Sequence, residues 1–125
     1  MASALFSIKP DYAQAILDGT KCFEFRTKRC KKEIDLIVIY ATSPVCKVLG
    51  EVAVSGILED SPKELWSKTQ AFAGIKYADY MKYFEGRDHA IAYCLSFPRR
   101  YGRPASLKDL GVAAAPQSYL YLADR

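Results

Sequence analysis

The sequence predicts an α+β fold: a small β-barrel of mostly antiparallel strands with three or four short flanking helices, in a single domain over residues 1–125. Three observations predict it. Short runs of alternating or wholly apolar residues recur along the chain and read as strands. Segments with helical spacing lie between some of them, marked by proline, capping residues or glycine at their ends. The connections between consecutive strands are short, which favours antiparallel pairing, and glycines within one long strand supply the bends that closing a sheet requires.

Leu5 to Lys9 reads as the first strand. Pro10 suits the first position of a helix, where its missing N–H costs nothing, and Asp11 favours the positive end of the helix dipole. Tyr12, Ala13, Ile16 and Leu17 form one apolar face, and Gly19 can take the left-handed conformation that stops the helix. Cys22 to Lys28 alternates, with Phe23 and Phe25 on one side and Glu24 and Arg26 on the other. Ile34 to Ala41 is apolar at both parities, as a strand covered on both faces would be, and Thr42-Ser43-Pro44 ends it. Lys47 to Leu58 is a longer strand that Gly50 and Gly56 bend.

Ser61-Pro62-Lys63-Glu64 is a capping box with proline at the first helical position. The helix it opens places Leu65, Trp66, Thr69, Phe72 and Ala73 on one face and ends at Gly74; Tyr77, Tyr80, Met81 and Phe84 outline the next, ending at Gly86. His89 to Phe97 returns as a strand that Pro98 breaks. Ser106 caps a helical turn to Leu110, and Gln117 to Leu122 is the last strand.

Composition narrows the class. Half the residues are hydrophobic and 26% are charged, which is globular rather than disordered. No window nears eighteen uninterrupted apolar residues, which argues against a membrane-spanning helix. The opening residues lack a basic stretch followed by an apolar run, so no secretory signal is expected, and the location expected is cytoplasmic. There Cys22, Cys30, Cys46 and Cys94 stay as thiols; Cys94 reads as a small buried hydrophobe and Cys30 as an exposed thiol. No two cysteines have C-x-x-C spacing and His89 is the one histidine, so no metal site is expected. No Walker or dinucleotide glycine fingerprint is present, and no cofactor is expected.

The net charge of +4 is modest, but its distribution is uneven. Lys21, Arg26, Lys28, Arg29, Lys31 and Lys32 fall within twelve residues, and a second cluster joins Arg99, Arg100 and Arg103 around Tyr101. Basic residues interleaved with aromatics suit phosphate contact and base stacking; two solvated loops would look the same. The chemistry concentrates in Gly19-Thr20-Lys21-Cys22-Phe23-Glu24-Phe25-Arg26. Lys21 brings a mobile ammonium at a turn, and Glu24 and Arg26 emerge on one strand face, roughly 7 Å apart. Such a set can bind a phosphate or a base edge, or move a proton. Read more plainly, Glu24 and Arg26 form a strand-face salt bridge, worth at most ~1 kcal/mol if exposed.

That segment resembles the G-x-K-x-x-E-x-R signature of the ASCH domain family, relatives of the PUA-like RNA-binding barrels. Leu5-Phe6-Ser7-Ile8-Lys9-Pro10 with Tyr12 and Ile16, then Tyr40-Ala41-Thr42-Ser43-Pro44, then Ala115-Pro116-Gln117-Ser118-Tyr119, extend the resemblance over nearly the whole chain. It implies a PUA-like barrel with a cleft between barrel and first helix. Lys21, Glu24 and Arg26 would line that cleft, with Ser43 and Ser118 as hydroxyls facing it and Lys9 adding charge. Some relatives hydrolyse acylated cytidine, but their threonine nucleophile falls where this chain has Glu24, a poor substitute for a hydroxyl.

The expected function is therefore an RNA-binding, or more broadly nucleic-acid-binding, module. The basic run to Lys32 and the arginines beside Tyr101 would steer the backbone. The alternative is a small ribonuclease or nucleoside-directed hydrolase using the same cleft, with Lys21 and Glu24 catalytic and a divalent metal entering only in that case. A third reading is a transcription-regulatory accessory whose cleft takes a small ligand or a protein.

Overall fold

The structure is a computed structural model that describes residues 2–123. Its strands are β1 (Ser3–Ile8), β2 (Phe23–Arg26), β3 (Leu36–Ala41), β4 (Lys47–Asp60), β5 (Ala90–Ala105) and β6 (Tyr119–Leu122). Helix α1 (Pro10–Leu17) follows β1, while α2 (Pro62–Thr69) and α3 (Tyr77–Tyr83) lie between β4 and β5. One mixed sheet runs β2-β5-β4-β3-β1-β6; β1 and β3 pair in parallel and the other neighbours are antiparallel. The sheet curls into an open, PUA-like barrel whose edges are β2 and β6.

The curl has local causes. Register slips between Val48 and Gly50, Glu51 and Ala53, and Val54 and Gly56 along β4, each increasing the twist, as the two glycines predict. Gly50 is required by close approach: a Cβ there would overlap the Arg99 carbonyl and come within 2.8 Å of the Leu17 side chain. Backbone of β5 and a side chain of α1 thus converge on one position that has room for hydrogen alone.

Pro98 does not break its strand. From Ala53↔Ser96 to Glu51↔Arg99, β5 advances three residues while β4 advances two. The extra residue is housed in a bulge, where a proline without an N–H takes no bond from the ladder. Phe97 in that bulge has φ 53° and is 85% exposed. Arg99, Arg100 and Tyr101 consequently sit on a strand rather than in a loop.

Strands β1 and β3 are covered on both faces, as the unbroken apolar run Ile34 to Ala41 predicts for β3. Ala4, Phe6 and Ile8 with Ile37, Ile39 and Ala41 face one core with Ala13, Ile16 and Leu17 of α1. Leu5, Val38 and Tyr40 face a second, closed by Leu107, Leu110 and Val112. A third core packs α2 and α3 on the outer side of β2, where Phe25, Leu65, Tyr80 and Phe84 meet. Phe25 lies edge-on to Tyr80 at 5.0 Å, and the buried Tyr80 hydroxyl donates to the Pro62 carbonyl at 2.7 Å.

The Ser61 cap forms, with Oγ accepting from the Glu64 N–H at 3.2 Å. The reciprocal bond comes instead from Asp60, whose Oδ1 accepts the Ser61 N–H. Helix α2 stops at Thr69 and a 3₁₀ turn over Gln70–Phe72 rotates Phe72 out of the expected face, leaving it 57% exposed. Cys30 is buried rather than exposed: its N–H donates to the Tyr93 hydroxyl at 2.7 Å, which draws the link between β2 and β3 over the core. Cys46 is the exposed thiol, and all four cysteines are free. Tyr119 and Tyr121 pack against the first core, with Tyr121 accepting the Lys32 N–H, so they form no outward stacking platform. Among the described residues no helix is long and apolar enough to cross a membrane.

Candidate functional site

A cleft of about 740 Å³ opens where the edge strands β2 and β6 face each other without backbone pairing. Its walls are the end of β1, the first turn of α1, strand β2, helix α3 and the approach to β6. Lys9, Lys21, Arg26 and Lys82 line it against two carboxylates, Glu24 and Asp79, so the cleft is positively biased. That volume suits a ligand of nucleotide size.

Lys21 forms the floor and is not mobile. It is 2% exposed; its Nζ donates to the Ala73 carbonyl at 2.6 Å and lies 4.9 Å from the Phe25 ring centroid and 5.1 Å from that of Tyr12. The neighbouring Cys22 N–H donates to the Phe72 carbonyl, so the link between α2 and α3 clamps this turn at two points. Burial pushes the Lys21 pKa down from 10.5 to about 8, against the opposing pull of the Glu24 carboxylate. An amine in that range exchanges its proton near neutrality, and either protonation state can donate to Ala73.

The depressed pKa has a measurable consequence for stability. Between about 8 and 10.5 the unfolded chain holds the Lys21 proton while the folded chain has released it, so stability rises with pH across that window. Below it, both states are protonated and the burial penalty is present in full. Urea unfolding of wild type and Lys21→Met should therefore diverge. The wild type is expected to gain about 2–3 kcal/mol relative to the variant from pH 7.5 to 10. A constant difference would show that Lys21 is solvated.

Gly74 is the second glycine whose hydrogen matters. It has φ +64°, and a Cβ there would overlap the Lys21 Cβ and Cγ. Gly74→Ala should cost about 1–2 kcal/mol from the left-handed backbone alone. It should also displace the Lys21 amine, so that its titration, followed by NMR, returns towards 10.5.

Arg26 ties the seam. Its Nε donates to Glu24 at 2.9 Å, one terminal nitrogen donates to the Ser7 carbonyl at 3.0 Å, and the other to Ser118 Oγ at 3.0 Å. The guanidinium also lies over the Phe6 ring, at 4.6 Å. One side chain on β2 thus joins β1 and the start of β6 across the gap. With side-chain exposures of 13% and 9%, the Arg26–Glu24 pair is an interior one rather than a solvated strand-face bridge. Ser118 Oγ accepts from Arg26 and keeps its own proton to donate into the cleft.

The ASCH domain matches residues 6–99. The chain belongs to the ASCH domain family. An ASCH domain-containing ribonuclease of Zymomonas mobilis is 34% identical over 124 residues, covering 95% of this chain and 83% of that protein. The crystal structure of ASCH from the same organism superposes with a TM-score of 0.89 at 32% identity, over 97% of this chain and 87% of that one. A segment of the Ureaplasma parvum ATP synthase subunit alpha is 28% identical over 94% of this chain, but it is 15% of that protein.

In this ASCH domain, Lys9, Lys21, Glu24, Arg26 and Ser118 line one cleft. Ser43 does not join them; it lines a neighbouring groove. Arg99, Arg100 and Tyr101 lie outside the cleft and are committed elsewhere. Arg99 pairs with Glu51 at 3.1 Å, Arg100 bonds Asp18 and Gln14, and the Tyr101 hydroxyl donates to Glu51. The basic run beyond Arg26 is also outside: Arg29 pairs with Glu59, and Lys32 lies over Tyr121. His89 is exposed and paired with Glu59, away from the cleft.

The wall that sequence reasoning missed is α3, which contributes Asp79, Lys82 and Tyr83. Their spacing of i, i+3, i+4 marks one helix face, adjacent to the apolar face already evident. Nothing in that pattern says what the face looks onto, because the folding of α3 against β2 is decided by Tyr80 and Phe84. Tyr12, read as part of an apolar helix face, lines the cleft as well, and its hydroxyl is held protonated by burial and by the nearby Asp79, Asp11 and Glu24.

Proposed function

We propose that this ASCH domain binds single-stranded RNA with one nucleotide in the cleft and cleaves the strand there. The observation that carries the reading is Lys21, a buried amine poised to exchange its proton near neutrality at the floor of a basic cleft. The Zymomonas mobilis relative named as a ribonuclease, with 34% identity across most of both chains, supports it.

The proposed chemistry uses the RNA's own hydroxyl. Neutral Lys21 takes the proton of a 2′-hydroxyl, whose oxygen forms a bond to the adjacent phosphorus. The bond from phosphorus to the 5′-oxygen breaks, and that oxygen takes a proton from water. The products are a 2′,3′-cyclic phosphate and a 5′-hydroxyl, and Lys21 is left as ammonium. Charge developing on the phosphoryl oxygens is met by Lys9 and Lys82, both exposed at the cleft and without a side-chain bond among the described residues. Glu24 is occupied by Arg26, which makes it a structural anchor rather than the base.

The test is end-labelled single-stranded RNA beside DNA and 2′-O-methyl RNA of the same sequence, at low salt, with and without magnesium or manganese. Retardation and strand integrity are read together. Cleavage of RNA alone, leaving cyclic phosphate ends, is expected. Equal cleavage of DNA, or 3′-hydroxyl ends, would overturn the 2′-hydroxyl route. Retardation without cleavage would leave a binding module.

A further inference from the structure

We infer that the groove beside the cleft is a second subsite, which takes the base and ribose of the nucleotide adjoining the one at Lys21; this rests on the RNA reading above. The groove measures about 1070 Å³ and lies between the Thr42–Val45 turn after β3, the start of α1, and the segment Gly74–Lys76. It shares Lys9, Tyr12, Ile75 and Asp79 with the cleft. A strand leaving Lys21 therefore enters it directly, past the shared residues Lys9 and Tyr12.

The lining fits a nucleoside better than a free anion. Val45, 37% exposed, Ile75 and the Tyr12 ring offer apolar surface to the flat face of a base. Thr42 and Ser43 carry hydroxyls suited to a ribose or a base edge. Asp11 and Asp79 also line the groove and repel an anion seated within it. The cations suit the phosphates flanking a nucleoside held there: Lys9 lines both cavities and Lys76 the groove alone, both exposed. Neither makes a side-chain hydrogen bond or ion pair among the described residues. Ser43, which the resemblance assigns to the cleft, finds its place in this second site.

The test uses 2′-O-methyl oligouridylates of one, two and four nucleotides, each with a 3′-phosphate, titrated calorimetrically at low salt into wild type, Val45→Asp and Lys76→Glu. Both substituted residues line the groove and not the cleft. Wild type is expected to bind the dinucleotide roughly tenfold more tightly than the mononucleotide, the effect of one stacked base. Both variants should lose that gain while holding the mononucleotide as wild type does. No gain in wild type, or a gain that survives in both variants, would overturn the subsite and leave the RNA reading standing. Absence of binding at every length also removes the subsite, and if RNA is not cleaved either, the RNA reading falls with it.

Discussion

Lys21→Arg is expected to lower the rate of RNA cleavage by roughly 10²–10⁴-fold, the usual contribution of a positioned acid or base, while RNA is still retarded. Arginine keeps the positive charge but cannot release its proton near neutrality, so it separates a base from a mere counter-charge. Lys21→Met removes both functions and should lose as much rate. If arginine instead preserved cleavage, the side chain would be acting as a cation on the phosphate. The pH profile gives an independent reading with a definite sign. With a pKa of about 8, about a tenth of the protein carries neutral Lys21 at pH 7. The wild-type rate should climb with pH through 7 and 8 and level off above, and a rate that falls across that range would mean that the ammonium is the working form. Misfolding of the variants is separable, because near-UV circular dichroism reports the aromatic packing of Phe25 and Tyr80 directly behind Lys21.

Which parts of this were legible in the sequence follows from the range over which each was decided. Strand β3 is legible because its residues are apolar at both parities whatever they pair with. The Ser61 cap, the bends at Gly50 and Gly56 and the Glu24–Arg26 face are similarly local, fixed by residues two or three apart. Lys21 stands out in the sequence, but its burial does not. As a lysine after a glycine it looks like a turn residue with a free ammonium. Its burial depends on Ala73 and Gly74, about fifty residues later, arriving to cover it. Pro98 misled for the opposite reason: the local rule is sound, but it yields wherever the partner strand slips register, and that slip belongs to β4 as much as to β5. The arginines beside Tyr101 carried the right composition for a nucleic-acid surface. Their carboxylate partners, Glu51 and Asp18, are distant in sequence, so that commitment had no local trace.

Arg26→Met is expected to be the most destabilising single change at the site, costing about 3 kcal/mol or more in urea unfolding. The cause is what it leaves behind. Glu24 is buried and accepts from Arg26; without that partner a carboxylate stays uncompensated in a low-dielectric seam, for which about 3–5 kcal/mol is typical. Lost bonds to the Ser7 carbonyl and Ser118 would then free β2 from β1 and β6 where Arg26 bridges the open edge. The double variant Glu24→Met/Arg26→Met tells these two costs apart. If the unpaired charge dominates, removing both partners should restore most of the stability, to within about 1–2 kcal/mol of wild type. If the seam bonds dominate, the double variant should be no better than the single one. Ser118→Ala deletes one acceptor at the rim and should cost about 1 kcal/mol or less, setting the scale for a single seam bond. Lysine is no remedy: Arg26→Lys keeps the charge for Glu24 but has no planar fork with which to reach Ser7 and Ser118 together, so it should recover stability without restoring the shape of the cleft. A single guanidinium thus serves both as the counter-ion that permits Glu24 to be buried and as the clasp that holds the barrel's open edge at the width of the cleft.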